Sequence, residues 1–313
     1  MYNSLYFHAT QPEINEKHIM KCITVVGNCQ APVLAKLIKS CSPPEYEVNS
    51  LLLHRHSLET LDTLVQKENS IILSVPFKRI RGDSSFANQD LPRRYPNSRV
   101  LSLSNIYFEG YHPYWGYFYN SNGKKLYPEW DDYINYWIVH QYLNNNTKDL
   151  SSPALLMEML NHSIYEACWA RSKAELARRE AESDSITNIA DLLELCRVEN
   201  KKLFWTCNHP SRFLFNVMAE QIVKVLGLDQ HLLTKFWPGH EFLSNTILPT
   251  HFDMSSELKL TRSLPNYIFK GESISWEELV KVHFDFLSSQ RLEDIEYSVD
   301  HYFKSRPELS AAL

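Results

Sequence analysis

Side chains suited to group-transfer chemistry stand at two places in this sequence, a cysteine where a predicted helix begins and histidines that follow predicted turns. Cys29 lies in the turn Gly27-Asn28-Cys29-Gln30, between an apolar β-branched run and residues with helical spacing. A thiol at a helix N-terminus meets unpaired backbone N–H groups and the positive end of the helix dipole, which favour a thiolate or a nearby oxyanion. We therefore predict Cys29 as a nucleophile or as part of an oxyanion site, with a small buried cysteine as the alternative.

Amide donors and an imidazole would complete such a site. Asn28 and Gln30, together with backbone N–H groups of the turn that starts at Gly27, are predicted to stabilise a developing oxyanion. His209 follows the last predicted strand, and His112 lies in a Gly-Tyr-His-Pro segment. Either imidazole is a candidate general base, and either is equally a turn residue that hydrogen-bonds the backbone. The sequence does not choose between them.

A cationic cluster follows the third predicted strand and suggests a phosphate-bearing ligand. Lys78, Arg79 and Arg81 are suited to charge-assisted hydrogen bonds with phosphate groups, the alternative being a solvated loop. Tyr111, in an aromatic segment over residues 107–119, is predicted to line the same site. Neither a Gly-x-Gly-x-x-Gly motif nor a P-loop is present, so the sequence does not support a dinucleotide or P-loop fold. His54 and His56 have the spacing of some metal sites, but no acidic or cysteine partner at ligand spacing accompanies them, so a metal site is not expected.

Alternating strand and helix patterns in the first half of the chain predict the elements that position these residues. Such alternation indicates an α/β fold with a parallel sheet flanked by helices. The polar segments 27–30, 76–83, 105–113 and 208–211 each follow a predicted strand, and ligands bind at the carboxyl ends of parallel strands. The predicted strands are residues 22–26, 46–53, 70–75, 99–103 and 202–207, and the predicted helices between the first strands are 31–40 and 57–67.

The rest of the chain is predicted to be mostly helical, and aromatic residues that repeat over residues 129–142 indicate the first of these helices. Residues 1–20 are expected to form an N-terminal arm, and residues 21–228 an α/β domain that contains a helical insertion at about 127–200. Ser211 is a suitable cap for a helix that ends near Gly227. Residues 229–313 are expected to form a helical region packed on the same domain, with helices at 275–288 and 294–304.

Composition excludes several classes of function. The net charge of −5 provides no basic field for nucleic acid, and no apolar run has the ~18–20 residues that a membrane span requires. Acidic and basic residues within positions 13–18 do not suit a signal peptide. The 6 cysteines include no Cys-x-x-Cys pair. Such scattered thiols are typical of a reduced, cytoplasmic protein.

Several motifs together resemble the WcbI family of capsular polysaccharide biosynthesis proteins. They are Val-Val-Gly-Asn-Cys-Gln-Ala at 25–31, Arg-Gly at 81–82, Asn-Ile-Tyr-Phe-Glu-Gly-Tyr-His-Pro at 105–113 and Asn-His-Pro at 208–210. The resemblance extends over roughly residues 21–228. It implies a fold similar to the SGNH/GDSL hydrolases, with Gly27-Asn28-Cys29 in place of their Gly-Asp-Ser and without their Asp-x-x-His at His209.

The same resemblance implies coenzyme A as a donor substrate and O-acetylation of a saccharide precursor. An acetyl-coenzyme A-dependent O-acetyltransferase is therefore the leading hypothesis, with Cys29 either acylated or confined to the oxyanion site. A glycan esterase, which the altered Ser and Asp positions disfavour, and a sulfotransferase-like enzyme are the other enzymatic hypotheses. A non-catalytic glycan-binding subunit, with the aromatic segment as its sugar platform, is the hypothesis of another class.

Overall fold

The computed structural model describes residues 21–65, 70–81, 83, 85–129, 132–145, 162–198, 203–233, 241–248 and 267–311. The predicted N-terminal arm lies outside these residues, as do parts of the predicted insertion and of the C-terminal region. Within the described ranges, no helix combines the length and the apolar character that crossing a membrane requires.

A four-stranded parallel sheet forms the centre of the first half of the chain. Its strands lie in the order β2-β1-β3-β4, so Val25 of β1 is opposite Ser50 of β2 and Leu73 of β3. The predicted parallel sheet flanked by helices is confirmed. The strands are β1 (Lys21–Gly27), β2 (Tyr46–Leu52), β3 (Ile71–Ser74) and β4 (Arg99–Ser102).

Both faces of this sheet are covered because β1 and β3 carry apolar residues on both sides. Ile23 and Val25 pack into one hydrophobic cluster, whereas Val26 packs into another. A strand that is buried on both faces reads as a continuous apolar run, as residues 71–73 do. The flanking helices are α1 (Ala31–Cys41), α2 (Leu58–Val65) and α3 (Leu91–Arg94).

The described parts of residues 115–198 form short antiparallel ribbons and three helices. The predicted helix at 129–142 begins only at Tyr136, because the Asn135 side chain caps it by accepting hydrogen bonds from the backbone N–H groups of Trp137 and Ile138. The elements are β5 (Trp115–Gly116), β6 (Phe118–Tyr119), β7 (Lys125–Leu126), β8 (Ile134–Asn135), α4 (Tyr136–Leu143), α5 (His162–Glu182) and α6 (Ala190–Val198).

The fifth predicted strand forms but does not join the parallel sheet in the described residues. Phe204–Thr206 (β9) pairs antiparallel with His209–Pro210 (β10), and the register shifts between the two residues of β10. The turn between them is Cys207-Asn208, so Asn208 and His209 lie in a tight ribbon rather than at the end of a sheet strand. Helix α7 (Arg212–Leu226) follows and ends at Gly227, as predicted. Gly227 adopts the left-handed conformation.

The C-terminal helices complete a second aromatic core. Trp137 of α4 packs with Trp276 and Tyr302 in one cluster. The N-terminus of the first of these helices is fixed by a capping box between Ser275 and Glu278. The predicted helices at 275–288 and 294–304 are confirmed, with a short helix after them. The elements are β11 (Tyr267–Phe269), β12 (Glu272–Ile274), α8 (Trp276–Ser288), α9 (Leu292–Lys304) and α10 (Pro307–Ser310).

Candidate active site

The turn after β1 places Cys29 at the start of helix α1. The Asn28 side-chain Oδ1 accepts a hydrogen bond of 3.0 Å from the backbone N–H of Gln30, and the Asn28 carbonyl accepts one of 3.0 Å from Ala31. A Cβ atom at Gly27 would lie 2.9 Å from Val75 Cγ2, so only glycine allows the third strand's end to approach this closely. Cys29 itself is half-buried at the edge of the sheet.

The side chain of Gln30 joins three of the predicted loops. Its Nε2 donates hydrogen bonds to the carbonyl oxygens of Ile106, at 2.8 Å, and Asn208, at 2.9 Å. Gln30 is completely buried, so these bonds form in an environment that strengthens them. Both amide hydrogens of Gln30 are thereby engaged. The prediction that Gln30 donates to an oxyanion is therefore wrong, and its function is to hold the loops together.

A tyrosine network fixes Asn208 beside His209. Asn208 Nδ2 donates to Tyr117 Oη at 2.9 Å, and Tyr133 donates to Asn208 Oδ1. Thr206 Oγ1 donates to Tyr133 Oη at 3.1 Å. The rings of Tyr133 and His209 meet edge to face with centroids 6.4 Å apart. Because Asn208 also accepts from Gln30, the His209 imidazole is held in a fixed position relative to the Cys29 turn.

Burial keeps the Cys29 thiol protonated. Loss of solvation raises the pKa of Cys29 to about 11, a backbone hydrogen bond lowers it, the Asp132 charge raises it and the Lys125 charge lowers it. The expectation of a thiolate at the helix N-terminus is therefore wrong. Desolvation raises the pKa of Cys29 by more than the backbone N–H groups lower it. At neutral pH the group at this position is a thiol.

Burial also keeps the His209 imidazole neutral at neutral pH, in this case by lowering its pKa. Burial lowers the pKa of His209 to about 4, while the Asp132 charge and a hydrogen bond with the Leu243 backbone raise it. A neutral imidazole has a nitrogen lone pair that can accept a proton. The Asp132 carboxylate acts on both Cys29 and His209, so these groups share one electrostatic environment.

Alkylation of Cys29 tests this description of the thiol. We expect the rate of reaction with iodoacetamide, measured by peptide mass spectrometry, to keep rising between pH 8 and pH 10, because the thiolate fraction grows up to a pKa of about 11. In Asp132→Asn the pKa of Cys29 should fall and the rate at pH 8 should rise, because the negative charge that raises it is gone. A rate that levels off before pH 10 would show an ordinary or activated thiol instead.

His112 and Tyr111 lie in the core, contrary to their predicted roles in the site. His112 is 1% exposed and Tyr111 is 2% exposed. The Tyr111 ring packs edge to face against Trp169 at 5.1 Å and near Phe204 at 5.8 Å. A ring enclosed in this way has no surface for a cofactor, and the enclosed His112 ring is not accessible to an acceptor hydroxyl. His209, which is partly exposed, is the histidine that the fold brings to the Cys29 turn.

The predicted phosphate-binding cations are exposed on the loop after β3. Lys78, Arg79 and Arg81 all face solvent. The Arg81 backbone N–H donates to the carbonyl of Leu53 at 3.0 Å, and its guanidinium donates to the carbonyl of Arg55 at 2.8 Å. The loop is thus attached to the turn after β2, at the same sheet edge as Cys29.

Sequence patterns did not single out the charged pair that flanks the site. Lys125 Nζ lies 3.3 Å from the Asp132 carboxylate and 3.4 Å from the centre of the Tyr117 ring. Both charges shift the pKa of Cys29, as described above, and both also act on His54. Neither residue stands in a motif or follows a sheet strand, so only the tertiary fold reveals their place beside Cys29.

Comparisons with known proteins give a family match and a fold neighbour for this chain. A family model described as the polysaccharide biosynthesis enzyme WcbI matches residues 22–231, which confirms the resemblance found in the sequence motifs. A solved structure of WcbI, described as native protein without a disulfide bond between coenzyme A and one of its cysteines, has a TM-score of 0.75. It is 22% identical, and the match covers 93% of this chain and 97% of that chain. No curated protein sequence matches this chain.

Proposed function

Because the chain belongs to the WcbI family of polysaccharide biosynthesis enzymes, we propose that it transfers an acetyl group from acetyl-coenzyme A to a saccharide hydroxyl. The acceptor is a precursor of a capsular or other surface polysaccharide. The observation that carries the proposal is the 2.9 Å hydrogen bond between Gln30 Nε2 and the Asn208 carbonyl. This bond supports the assignment of the neighbours of these two residues, Cys29 and His209, to facing loops of one site.

The fold neighbour supports coenzyme A as the donor substrate. Its description concerns a disulfide bond between coenzyme A and a cysteine, and such a bond requires the coenzyme A thiol to lie beside that cysteine. Cys29, half-buried at a helix start, is the residue that we assign to this position in the present chain. Lys78, Arg79 and Arg81 then hold the phosphate groups of the same molecule.

His209 acts as the general base in the proposed reaction. Its neutral imidazole accepts the proton of the acceptor hydroxyl while the hydroxyl oxygen attacks the thioester carbonyl carbon. A carbon–oxygen bond forms and the carbon–sulfur bond breaks. The proton passes from His209 to the departing sulfur, so coenzyme A leaves as the free thiol and the base is regenerated.

Donors at the start of α1 stabilise the oxyanion that develops on the thioester carbonyl. Asn28 uses Oδ1 to bind the Gln30 backbone, which keeps the side chain in place beside Cys29. Its Nδ2 and the backbone N–H groups of the turn are the proposed donors, and they act in a site with little water, where such bonds are strong. Because the Cys29 thiol stays protonated, we assign direct transfer to the acceptor rather than an acyl-cysteine intermediate.

Calorimetric titration with coenzyme A and acetyl-coenzyme A tests the donor. We expect both to bind, and we expect the double variant Lys78→Ala, Arg81→Ala to bind about tenfold or more weakly, because two charge-assisted contacts to phosphate are lost. The matched control is Lys224→Ala, Lys281→Ala, which removes two exposed charges from helices α7 and α8. Absence of binding to the unmodified chain, or equal weakening in the control, would contradict this assignment of the donor site.

A further inference from the structure

A salt bridge between Lys125 and Asp132 lies beside the proposed reaction site, and none of the steps described so far uses it. The Lys125 and Asp132 side chains are 20% and 56% exposed, and Lys125 Nζ is 3.3 Å from the carboxylate. The same Nζ lies 3.4 Å from the centre of the Tyr117 ring and 4.6 Å from the centre of the Tyr127 ring. The carboxylate therefore has a partner that is itself held between two aromatic rings.

The hairpin that carries Lys125 is attached to a C-terminal helix. Lys125 lies in β7 and is opposite Tyr119 of β6. In the turn between these strands, the backbone N–H and the Oγ of Ser121 donate to Asp294 of α9 at 2.8 Å and 2.7 Å. The Tyr119 N–H donates to Ser298 Oγ of the same helix at 3.1 Å. These bonds attach the hairpin to the helix at two points, so the ammonium group has a defined position.

Two routes connect Asp132 with the loop of the proposed base. Asp132 directly precedes Tyr133, whose ring meets the His209 ring edge to face at 6.4 Å and whose hydroxyl donates to Asn208. The partner lysine packs on Tyr117, whose Oη accepts a hydrogen bond of 2.9 Å from Asn208 Nδ2. The two tyrosine rings stack on each other with centroids 5.2 Å apart. The salt bridge and the base are therefore parts of one packed arrangement.

The imidazole of His209 is influenced by the carboxylate of this salt bridge and not by its ammonium group. Burial lowers the pKa of His209 to about 4, whereas the Asp132 charge and a hydrogen bond with the Leu243 backbone raise it. In the described part of the chain, the Lys125 charge acts on Cys29 but not on His209. A negative charge that raises the pKa of an imidazole stabilises its protonated form.

We infer that Asp132 serves the reaction through His209, because its carboxylate stabilises the imidazolium that forms when the acceptor hydroxyl gives its proton to this ring. The inference rests on the proposed transferase function, in which His209 is the base. A positive charge on a buried ring is unfavourable unless a negative charge lies nearby. The proton then passes to the departing sulfur, so the imidazolium is transient and Asp132 stays ionised throughout. Lys125 keeps the carboxylate in its position.

NMR titration of the full chain labelled with ¹³C-histidine tests the effect of the charge, and the signal that is absent in His209→Ala identifies the ring. We expect a pKa of about 4 for His209 in the unmodified chain. In Asp132→Asn the pKa should be lower, because the charge that favours the imidazolium is gone. Asp132→Glu keeps the charge and should return the pKa toward the unmodified value. Asp285→Asn, which removes a carboxylate from an exposed pair with Lys281, is the matched control and should leave it unchanged.

Steady-state kinetics with acetyl-coenzyme A measures the contribution of Asp132 to transfer. We expect kcat of Asp132→Asn to fall about two- to fivefold, the range for a charge interaction of an exposed side chain. The acid limb of its pH–rate profile should move to lower pH, as the pKa of His209 does, and its coenzyme A affinity should not change.

An unchanged pKa of His209 or an unchanged kcat in Asp132→Asn would overturn the inference, and so would an equal change in Asp285→Asn. If the unmodified chain transfers acetyl groups, such a result overturns the inference alone. Absence of transfer by the unmodified chain would overturn the inference together with the transferase proposal.

Discussion

Replacing His209 with alanine is expected to lower kcat for acetyl transfer about 10²–10⁴-fold, the range that a general base contributes. The reason is that its neutral imidazole, with a pKa of about 4, is the proton acceptor in the proposed mechanism. Below pH 4 the imidazole becomes protonated and loses this capacity, so activity of the unmodified chain should fall as pH drops through that value. Steady-state kinetics with saturating acetyl-coenzyme A provides the measurement.

His231→Ala is the control for this experiment, because that imidazole is exposed in a 3₁₀ turn after α7. It should leave kcat unchanged. The His209→Ala protein should still bind coenzyme A within a few-fold of the unmodified chain, since the base does not hold the donor. A variant that retains most of its kcat, or whose activity loss follows a loss of coenzyme A binding, would contradict the assignment of His209 as the base.

Replacing the buried carboxylate of Glu109 is expected to have a large effect on the stability of the protein. We expect Glu109→Gln to lower the free energy of unfolding by about 3–5 kcal/mol, because it removes the charged partner of Arg306 and one of the two carboxylates that bind Arg171. Glu109 binds Arg306 and Arg171, and the side chains of Glu109 and Arg306 are only 5% and 13% exposed. Urea denaturation monitored by tryptophan fluorescence gives the difference.

The pH dependence of this effect has a defined sign. Burial by itself raises the pKa of Glu109, but the charges of Arg306 and Arg171 outweigh burial, and the pKa lies below the usual 4.5. The contribution of Glu109 is therefore fully present above pH 4.5 and is lost as the pH falls through its lower folded-state value. The difference between the unmodified chain and Glu109→Gln should narrow under acid conditions.

Glu182→Gln is the matched control, since Glu182 pairs with Arg178 on the surface and both side chains are more than half exposed. It is expected to lower the free energy of unfolding by about 0–1 kcal/mol. If Glu109→Gln were as mild as this control, the Glu109 ion pairs would not stabilise the packing of the C-terminal helices on the aromatic segment.

Local sequence patterns predict the elements of this protein well where the elements are built from neighbouring residues. The run of apolar β-branched residues before Gly27 and the helical spacing after Gln30 define β1 and α1 almost to the residue. Capping residues explain where prediction and structure differ. Asn135 starts helix α4 later than the apolar pattern indicates, since its side chain binds the first free N–H groups of that helix.

The chemical state of the site depends on burial, which local patterns do not specify. The position of Cys29 at a helix start follows from the sequence, but the desolvation that raises its pKa comes from distant loops. Gln30 was expected to donate a hydrogen bond to an oxyanion. Its side-chain amide instead donates to the carbonyl oxygens of Ile106 and Asn208. Tyr111 was expected in the site for its aromatic ring, and that ring instead fills the core between α5 and β9.

The ion pair between Glu109 and Arg306 is also not predictable from local sequence patterns. These residues are separated by 197 positions, and nothing near either of them in sequence indicates the other. Motifs thus locate the turn and the histidine loop of the candidate site, whereas the packing of the C-terminal helices against the aromatic segment depends on such long-range contacts.

The most direct test of the central claim is to follow the acetyl group itself. The chain is incubated with acetyl-coenzyme A that carries ¹⁴C in the acetyl group, together with the saccharide precursor fraction of cells that lack this protein. The account predicts alkali-labile ¹⁴C in the saccharide, one equivalent of free coenzyme A thiol per acetyl group transferred, and no transfer by His209→Ala. Label that appears only as free acetate, or label that stays in acetyl-coenzyme A, would contradict it.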